Sequence, residues 1–278
     1  MITQILAEQR PVTGPACRMS APQRQRPRGV FVTGTDTGIG KTEVACAIAK
    51  WCRDQGWDVG VMKPVATGGV RLRGRRDIRY LSEDAQRLVQ AAGAHDAWAL
   101  VNPICFKEPL APSVAADRAK QPIRLSLLLR AFRTLSNRHR LMVVEGAGGL
   151  LVPLTERYSI GDLAKRFGLP LLIVTRPNLG TLNHTLLTLR YARSLGLPVL
   201  GLVVNAARPP APEPMERLAE RTNPQTLERL GRVPLLGVLP FRSVPGPAKS
   251  TTDAVHHWMM RHLDMRCLKR ALLTVDSS

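Results

Sequence analysis

Gly34-Thr35-Asp36-Thr37-Gly38-Ile39-Gly40-Lys41-Thr42 is the stretch that decides the fold. The apolar run Val30-Phe31-Val32 leads into it, and Val44, Ile48, Trp51 and Cys52 follow at helical spacing, so the order is strand, glycine loop, helix. That arrangement binds phosphate. Backbone N–H groups of the loop and of the first helical turn converge on an anion, Lys41 reaches the outer phosphates, and Thr42 offers a hydroxyl to Mg2+. Gly34 and Gly40 enclose one residue more than the usual Gly-x-x-x-x-Gly-Lys-Ser/Thr pattern. The stretch implies nucleotide binding.

Outward from it, Asp58 to Met62 reads as a short buried strand that runs into Lys63-Pro64-Val65-Ala66-Thr67-Gly68. Ligands of parallel α/β sheets sit off the carboxyl ends of strands, which places Lys63 and Thr67 at the crevice of the phosphate loop. A helix is expected from about Ser82, with Ala85, Leu88, Val89 and Ala92 inward and Asp84 in its first turn. Residues 101–112 are punctuated by proline and read as an irregular loop across the mouth of a site. A packing helix carries Leu125, Leu128, Leu129, Phe132 and Leu135.

The apolar strand Leu141 to Val144 runs into Glu145-Gly146-Ala147-Gly148-Gly149, where an acid at a strand end suits a metal-side carboxylate. Strands follow at 171–175 and 197–204, with a helix opening near Gly180 between them. Asn205 ends its strand at the crevice, where its amide either reads a base edge or caps a turn. A last short strand closes at 238–241, and one basic amphipathic helix is expected over His256 to Leu273. The expected architecture is a single α/β domain, three-layer α/β/α, with a mostly parallel sheet of the phosphate-loop NTPase type. Its bounds are residues 29–245, after a disordered basic extension at 1–28 and before a helical segment at 246–278 that packs on or trails it.

The chain has 278 residues and a formal net charge of +19, with arginines concentrated at 10–28 and in the loop 70–80. A field of that sign attracts polyanions. No aromatic residues interleave the arginines, so they read as solvated surface, with nucleic acid an unlikely partner. Apolar runs are far shorter than the roughly 20 residues a membrane helix needs. Five cysteines without a Cys-x-x-Cys pair fit a reducing cytoplasm better than a disulfide framework or zinc site, and His256-His257 reads as a solvated helix face. Residues 1–28 lack a signal-peptide core; a start at Met19 or a transit peptide are the alternatives to a simple extension.

Five stations in order, Gly-Thr-Asp-Thr at 34–37 with Gly-Lys-Thr at 40–42, Lys-Pro-Val-Ala-Thr-Gly at 63–68, Val-Asn-Pro at 101–103, Val-Glu-Gly-Ala-Gly-Gly at 144–149 and Asn178 with Gly-Thr-Leu-Asn-His at 180–184, resemble dethiobiotin synthetase over roughly residues 29–245. The resemblance implies an ATP- and Mg2+-dependent ligase that closes the ureido ring of dethiobiotin from 7,8-diaminononanoate and CO2. It implies Lys63 and Lys41 as catalytic residues, and Thr42, Asp84 and Glu145 as Mg2+ ligands. Nucleotide contacts are implied along Gly38, Ile39, Gly40, Lys41, Thr42, Glu43, Asp84 and Glu145 to Gly148 (Gly146 and Ala147 included), with Asn205, Ala206, Pro240, Phe241 and Arg242 around adenine. Substrate contacts are implied at Thr37, Thr67, Gly180, Thr181 and Asn183, the last three across the interface of a homodimer.

The chain departs from that pattern at Gly38, where an acid is common, and at Ser113, where a histidine is common. Two other phosphate-loop classes are weaker fits. A positioning ATPase that acts on DNA or membranes would place a further lysine early in the loop, where Thr35 and Asp36 stand. An amidotransferring synthetase would need a glutaminase region that nothing beyond Phe241 can supply.

Overall fold

Every strand of the main sheet is an apolar run rather than an alternating one, which is what burial on both faces requires. The computed structural model describes residues 27–71, 80–242 and 253–273. Most of the basic extension, the arginines at 73–79 and residues 243–252 lie outside the described residues. Along the chain come β1 (Gly29–Gly34), α1 (Lys41–Asp54), β2 (Val59–Met62), β3 (Val65–Ala66), β4 (Val70–Arg71) and β5 (Tyr80–Leu81). Next are α2 (Glu83–Ala92), α3 (Trp98–Val101), β6 (Ile104–Cys105), α4 (Pro112–Arg118) and α5 (Leu125–Arg138). Then follow β7 (Leu141–Glu145), α6 (Ile160–Phe167), β8 (Leu171–Thr175), α7 (Thr181–Ser194), β9 (Val199–Asn205), α8 (Pro214–Gly231), β10 (Leu235–Leu239), α9 (Asp253–His262) and α10 (Met265–Leu273).

The main sheet has the order β10-β9-β8-β1-β7-β2, all parallel. All six carboxyl ends therefore share one edge, and the connections diverge on either side of β1, where such sheets form their ligand crevice. Alternate side chains of β1 enter opposite cores. Val30 and Val32 join Val44, Ile48, Leu88, Met259, Leu268 and Leu272 under α1, α2, α9 and α10. Phe31 joins Leu128, Phe132, Leu163, Phe167, Leu189 and Leu227 under α5 to α8, with the Phe132 and Phe167 rings stacked 4.1 Å apart.

Local signals set the helix ends. Ser82 caps α2 by accepting from Ala85 N at 3.3 Å, and Ser159 with Asp162 forms a capping box at α6. The sequence expectations include neither α6, although its Ile160, Leu163, Ala164 and Phe167 recur at helical spacing, nor α8. The first is only 8 residues long, and the second is largely polar with Pro224 inside it. Parallel neighbours need such crossovers. The expected irregular loop at 101–112 is more ordered than its prolines suggest: β6 pairs with β3, and Pro112 opens α4 from the first-turn position proline tolerates.

The single helix expected over His256 to Leu273 is two helices. Leu263 bridges to Gly237, Asp264 N donates to Leu236 O at 2.6 Å, and Asp264 Oδ1 accepts from Cys267 N at 2.9 Å to start α10. His256 is not solvated either: it is 7% exposed and faces Asp54. Cys46, Cys52, Cys105 and Cys267 are free thiols. Among the described residues no helix is long and apolar enough to cross a membrane.

His139, after α5, ties two edges of the fold by hydrogen bonds of 2.7 Å to Asp58 and 2.7 Å to Asp96. Burial opposes its charge, but the two carboxylates outweigh burial and raise its pKa. A raised folded-state pKa contributes stability that is complete below the unfolded value, near 6.5, and is lost as pH rises through the elevated one. The expected result is that urea midpoints fall between pH 6 and pH 9 more steeply in the native chain than in His139→Gln; equal slopes would contradict the bridge.

Candidate active site

The phosphate loop is braced before any ligand arrives. Gly40 sits at φ 87°, where a Cβ would also lie 2.1 Å from Asn205 Nδ2, so this position needs glycine twice over. The Asn205 amide donates to Ile39 O at 2.9 Å. Its NH2 group therefore holds the loop, the turn-capping alternative of the sequence. Lys41 Nζ donates to Asp36 O at 2.6 Å, and Asp36 also pairs with Arg176. Burial first, and the charge of Lys63 second, push the Lys41 ammonium down to about 8.

Across the loop, β7, β2 and α2 deliver a charge cluster. Glu145, the last residue of β7, is 1% exposed, and Lys63, one residue past β2, is 4% exposed. Lys63 Nζ lies 2.7 Å from Glu145 Oε1 and 2.7 Å from Asp84 Oδ2, while Thr42 Oγ1 donates to the same Glu145 oxygen at 2.8 Å. Burial alone would discharge Lys63, but the two carboxylates outweigh it and raise its pKa. Burial also dominates Glu145, whose carboxyl is raised; at Asp84 burial opposes, but the Lys63 charge together with hydrogen bonds from Lys63 and Thr42 holds the carboxyl low.

The Val-Asn-Pro station explains how Lys63 is placed. Buried Asn102 donates to Lys63 O at 2.7 Å, and Lys63 N donates to Val101 O at 2.8 Å.

Two carboxylates around one ammonium leave a net negative charge, and Glu145 Oε2 is buried with no partner. With the Thr42 hydroxyl these are hard oxygen donors, which suit Mg2+. Among the described residues no group of three or more His, Cys, Asp or Glu could hold a metal ion, so any cation here would rely on this mixed set.

One cavity of about 1000 Å3 contains these groups. It is lined by Thr37, Gly38, Gly40, Lys41, Thr42, Glu43, Lys63, Thr67, Asp84, Glu145, Ala147, Gly148, Asn205, Ala206, Pro240, Phe241 and Arg242, all expected from sequence. Ile39 and Gly146 are not on its wall: the Ile39 side chain is buried, and Gly146 offers its carbonyl 3.5 Å from Lys63 Nζ. Gly180, Thr181 and Asn183 do not line it either. Thr181 is buried, its hydroxyl 2.9 Å from that of Thr175.

Sequence reasoning missed Arg87, which lines the cavity and pairs with Glu43 at 3.1 Å. Its position one turn after Asp84 was the available signal. It also missed Val255, Trp258 and Met259 of α9, which no motif marks, whereas Pro109 to Pro112 come from the loop expected across the mouth of a site.

Comparison with known proteins gives the family. Residues 28–248 match the family described as AAA domain. The chain is 39% identical over 238 residues to the ATP-dependent dethiobiotin synthetase BioD of Bacillus velezensis, covering 86% of this chain and 95% of that protein. It is 40% identical over 240 residues to the protein of the same name from Bacillus licheniformis, covering 86% and 94%. With that from Anaeromyxobacter dehalogenans it shares 46% identity over 182 residues, covering 66% and 78%. On these matches, and on a phosphate loop facing a buried lysine–carboxylate cluster, the chain belongs to the family of ATP-dependent dethiobiotin synthetases.

Proposed function

We propose that this ATP-dependent ligase converts 7,8-diaminononanoate and CO2 to dethiobiotin, with ADP and phosphate released. One amine adds to CO2 and loses a proton to give a carbamate. The carbamate oxygen attacks the γ-phosphorus, the bond to the ADP oxygen breaks, and a carbamic–phosphoric anhydride forms. The second amine attacks the carbamate carbon, phosphate leaves, its nitrogen loses a proton, and the five-membered ring is closed.

The observation that carries this reading is the pair of buried ammonium groups, Lys41 and Lys63, on one cavity wall. Phosphoryl transfer needs alignment and charge neutralisation more than covalent help from the protein. In this reading Lys41 faces the β- and γ-phosphates, and Lys63 neutralises charge where carbamate and γ-phosphate meet. Thr42, Asp84 and Glu145 would hold Mg2+, which when bound neutralises phosphate charge. Thr37 and Thr67 serve the diamine, and Gly38 to Glu43 with Ala147 and Gly148 follow the nucleotide. Asn205, Ala206 and Pro240 to Arg242 bound its base.

Gly180, Thr181 and Asn183 lie off the cavity of their own chain, which supports a homodimer in which the start of α7 serves the neighbouring site. Leu179, just before α7, and Leu187, within it, are 78% and 58% exposed, apolar surface that a partner would cover. We place the enzyme in the cytoplasm, in keeping with its free thiols.

Lys63→Ala is expected to lower kcat by ~10²-fold or more, with Lys63→Arg recovering part of it; unchanged turnover in a folded Lys63→Ala variant would remove Lys63 from the chemistry. Light scattering should show a dimer that Leu179→Asp with Leu187→Glu converts to a less active monomer. A fully active monomer would contradict the shared site.

A further inference from the structure

Resting on the nucleotide reading above, we propose that α9 forms part of the nucleotide site, with Trp258 and Phe241 as an aromatic wall that takes the nucleobase by its face. The residues that match the family end at 248, and α9 begins at Asp253, so the Trp258 side of this wall lies outside the matched segment.

Sheet order sets the direction of the nucleotide. The ends of β7 and β2, with Glu145 and the adjacent Lys63, lie on one side of the phosphate loop, and the ends of β9 and β10 lie on the other. The reacting phosphate belongs beside Lys63, which sends the base toward β9, β10 and α9.

At that end Asn205 spends one amide N–H on Ile39 O, which leaves its oxygen and second N–H for a base edge. What remains is mainly flat or apolar: Phe241, 36% exposed, half-buried Trp258, and Val255 and Met259. Arg242 links the two parts of the wall, its guanidinium carbon 5.7 Å from the Trp258 ring centre.

The wall is fixed rather than trailing. Asp253 pairs with Lys50 of α1 at 3.1 Å, and Val255 and Met259 enter the core. Behind them the backbone of α9 closes on Gly237, where a Cβ would lie 2.1 Å from His262 O. Recognition by a face tolerates any base, because every base has one. Stacking on this wall is therefore expected to serve purine and pyrimidine nucleotides alike, with any preference between them left to the Asn205 amide.

The test measures binding of ADP, CDP and base-free pyrophosphate to the full chain, with Mg2+, by calorimetry and tryptophan emission. Trp258→Ala should weaken ADP and CDP about 10-fold and leave pyrophosphate unchanged, with Trp258→Phe recovering most of the loss. In the native chain ADP, but not pyrophosphate, should quench a part of the emission that is missing from Trp258→Phe. Equal weakening of ADP and pyrophosphate, or ADP quenching that persists in Trp258→Phe, would overturn the proposal. Absence of ADP and pyrophosphate binding to the native chain would instead overturn the nucleotide reading on which it rests.

Discussion

The Lys63 ammonium, held between Glu145 and Asp84, is the interaction on which the rest of the site depends. A carboxylate as buried as Glu145 is costly on its own, and stripping the partner from such a pair typically costs about 3–5 kcal/mol. The fold therefore has to bring the ends of β2 and β7 and the first turn of α2 to one point. It does so through adjacent strands β2 and β7, the Ser82 cap, and the Asn102 clamp on the Lys63 backbone. Thr42 adds the first turn of α1 to the same Glu145 oxygen, which couples the phosphate loop to the cluster.

That coupling gives the site its chemical logic. The cluster is short of positive charge, with one buried Glu145 oxygen unpartnered, while the loop beside it is rich in N–H donors and carries Lys41. A cation with its phosphates would satisfy both at once. The depressed pKa of Lys41 follows from the same crowding, since burial and the neighbouring Lys63 charge both disfavour its proton. A polyanion relieves that penalty, so the free site is built with its charges already aimed at a ligand.

Much of this was legible in the sequence because it lies in contiguous motifs at strand ends. Gly34 to Thr42, Lys63 to Gly68 and Glu145 to Gly149 each combine an apolar run with a chemical residue, and the parallel sheet turns those positions into one edge. The inner ends of the site were not legible in that way. Arg87 reaches the cavity only because α2 presents it one turn beyond Asp84, and Trp258 only because α9 packs on α1. The break between α9 and α10 depends on Leu263 meeting Gly237, a contact between residues far apart in the chain that helical periodicity cannot report. Asn205 is open to two roles in the sequence, and its contact with Ile39 O shows the bracing one without using up the amide.

Part of the net charge of +19 falls on arginines 10–26 and 73–79, outside the described residues, while Lys41, Lys63, Arg87 and Arg242 line the cavity. In the proposed function, phosphoryl transfer serves ring closure. It is tested most directly by measuring ADP release from MgATP and bicarbonate, with and without 7,8-diaminononanoate, while dethiobiotin is followed by mass. The account predicts ADP release that requires the diamine and matches dethiobiotin one to one. ADP release indifferent to the diamine, or stimulated by DNA instead, would contradict it.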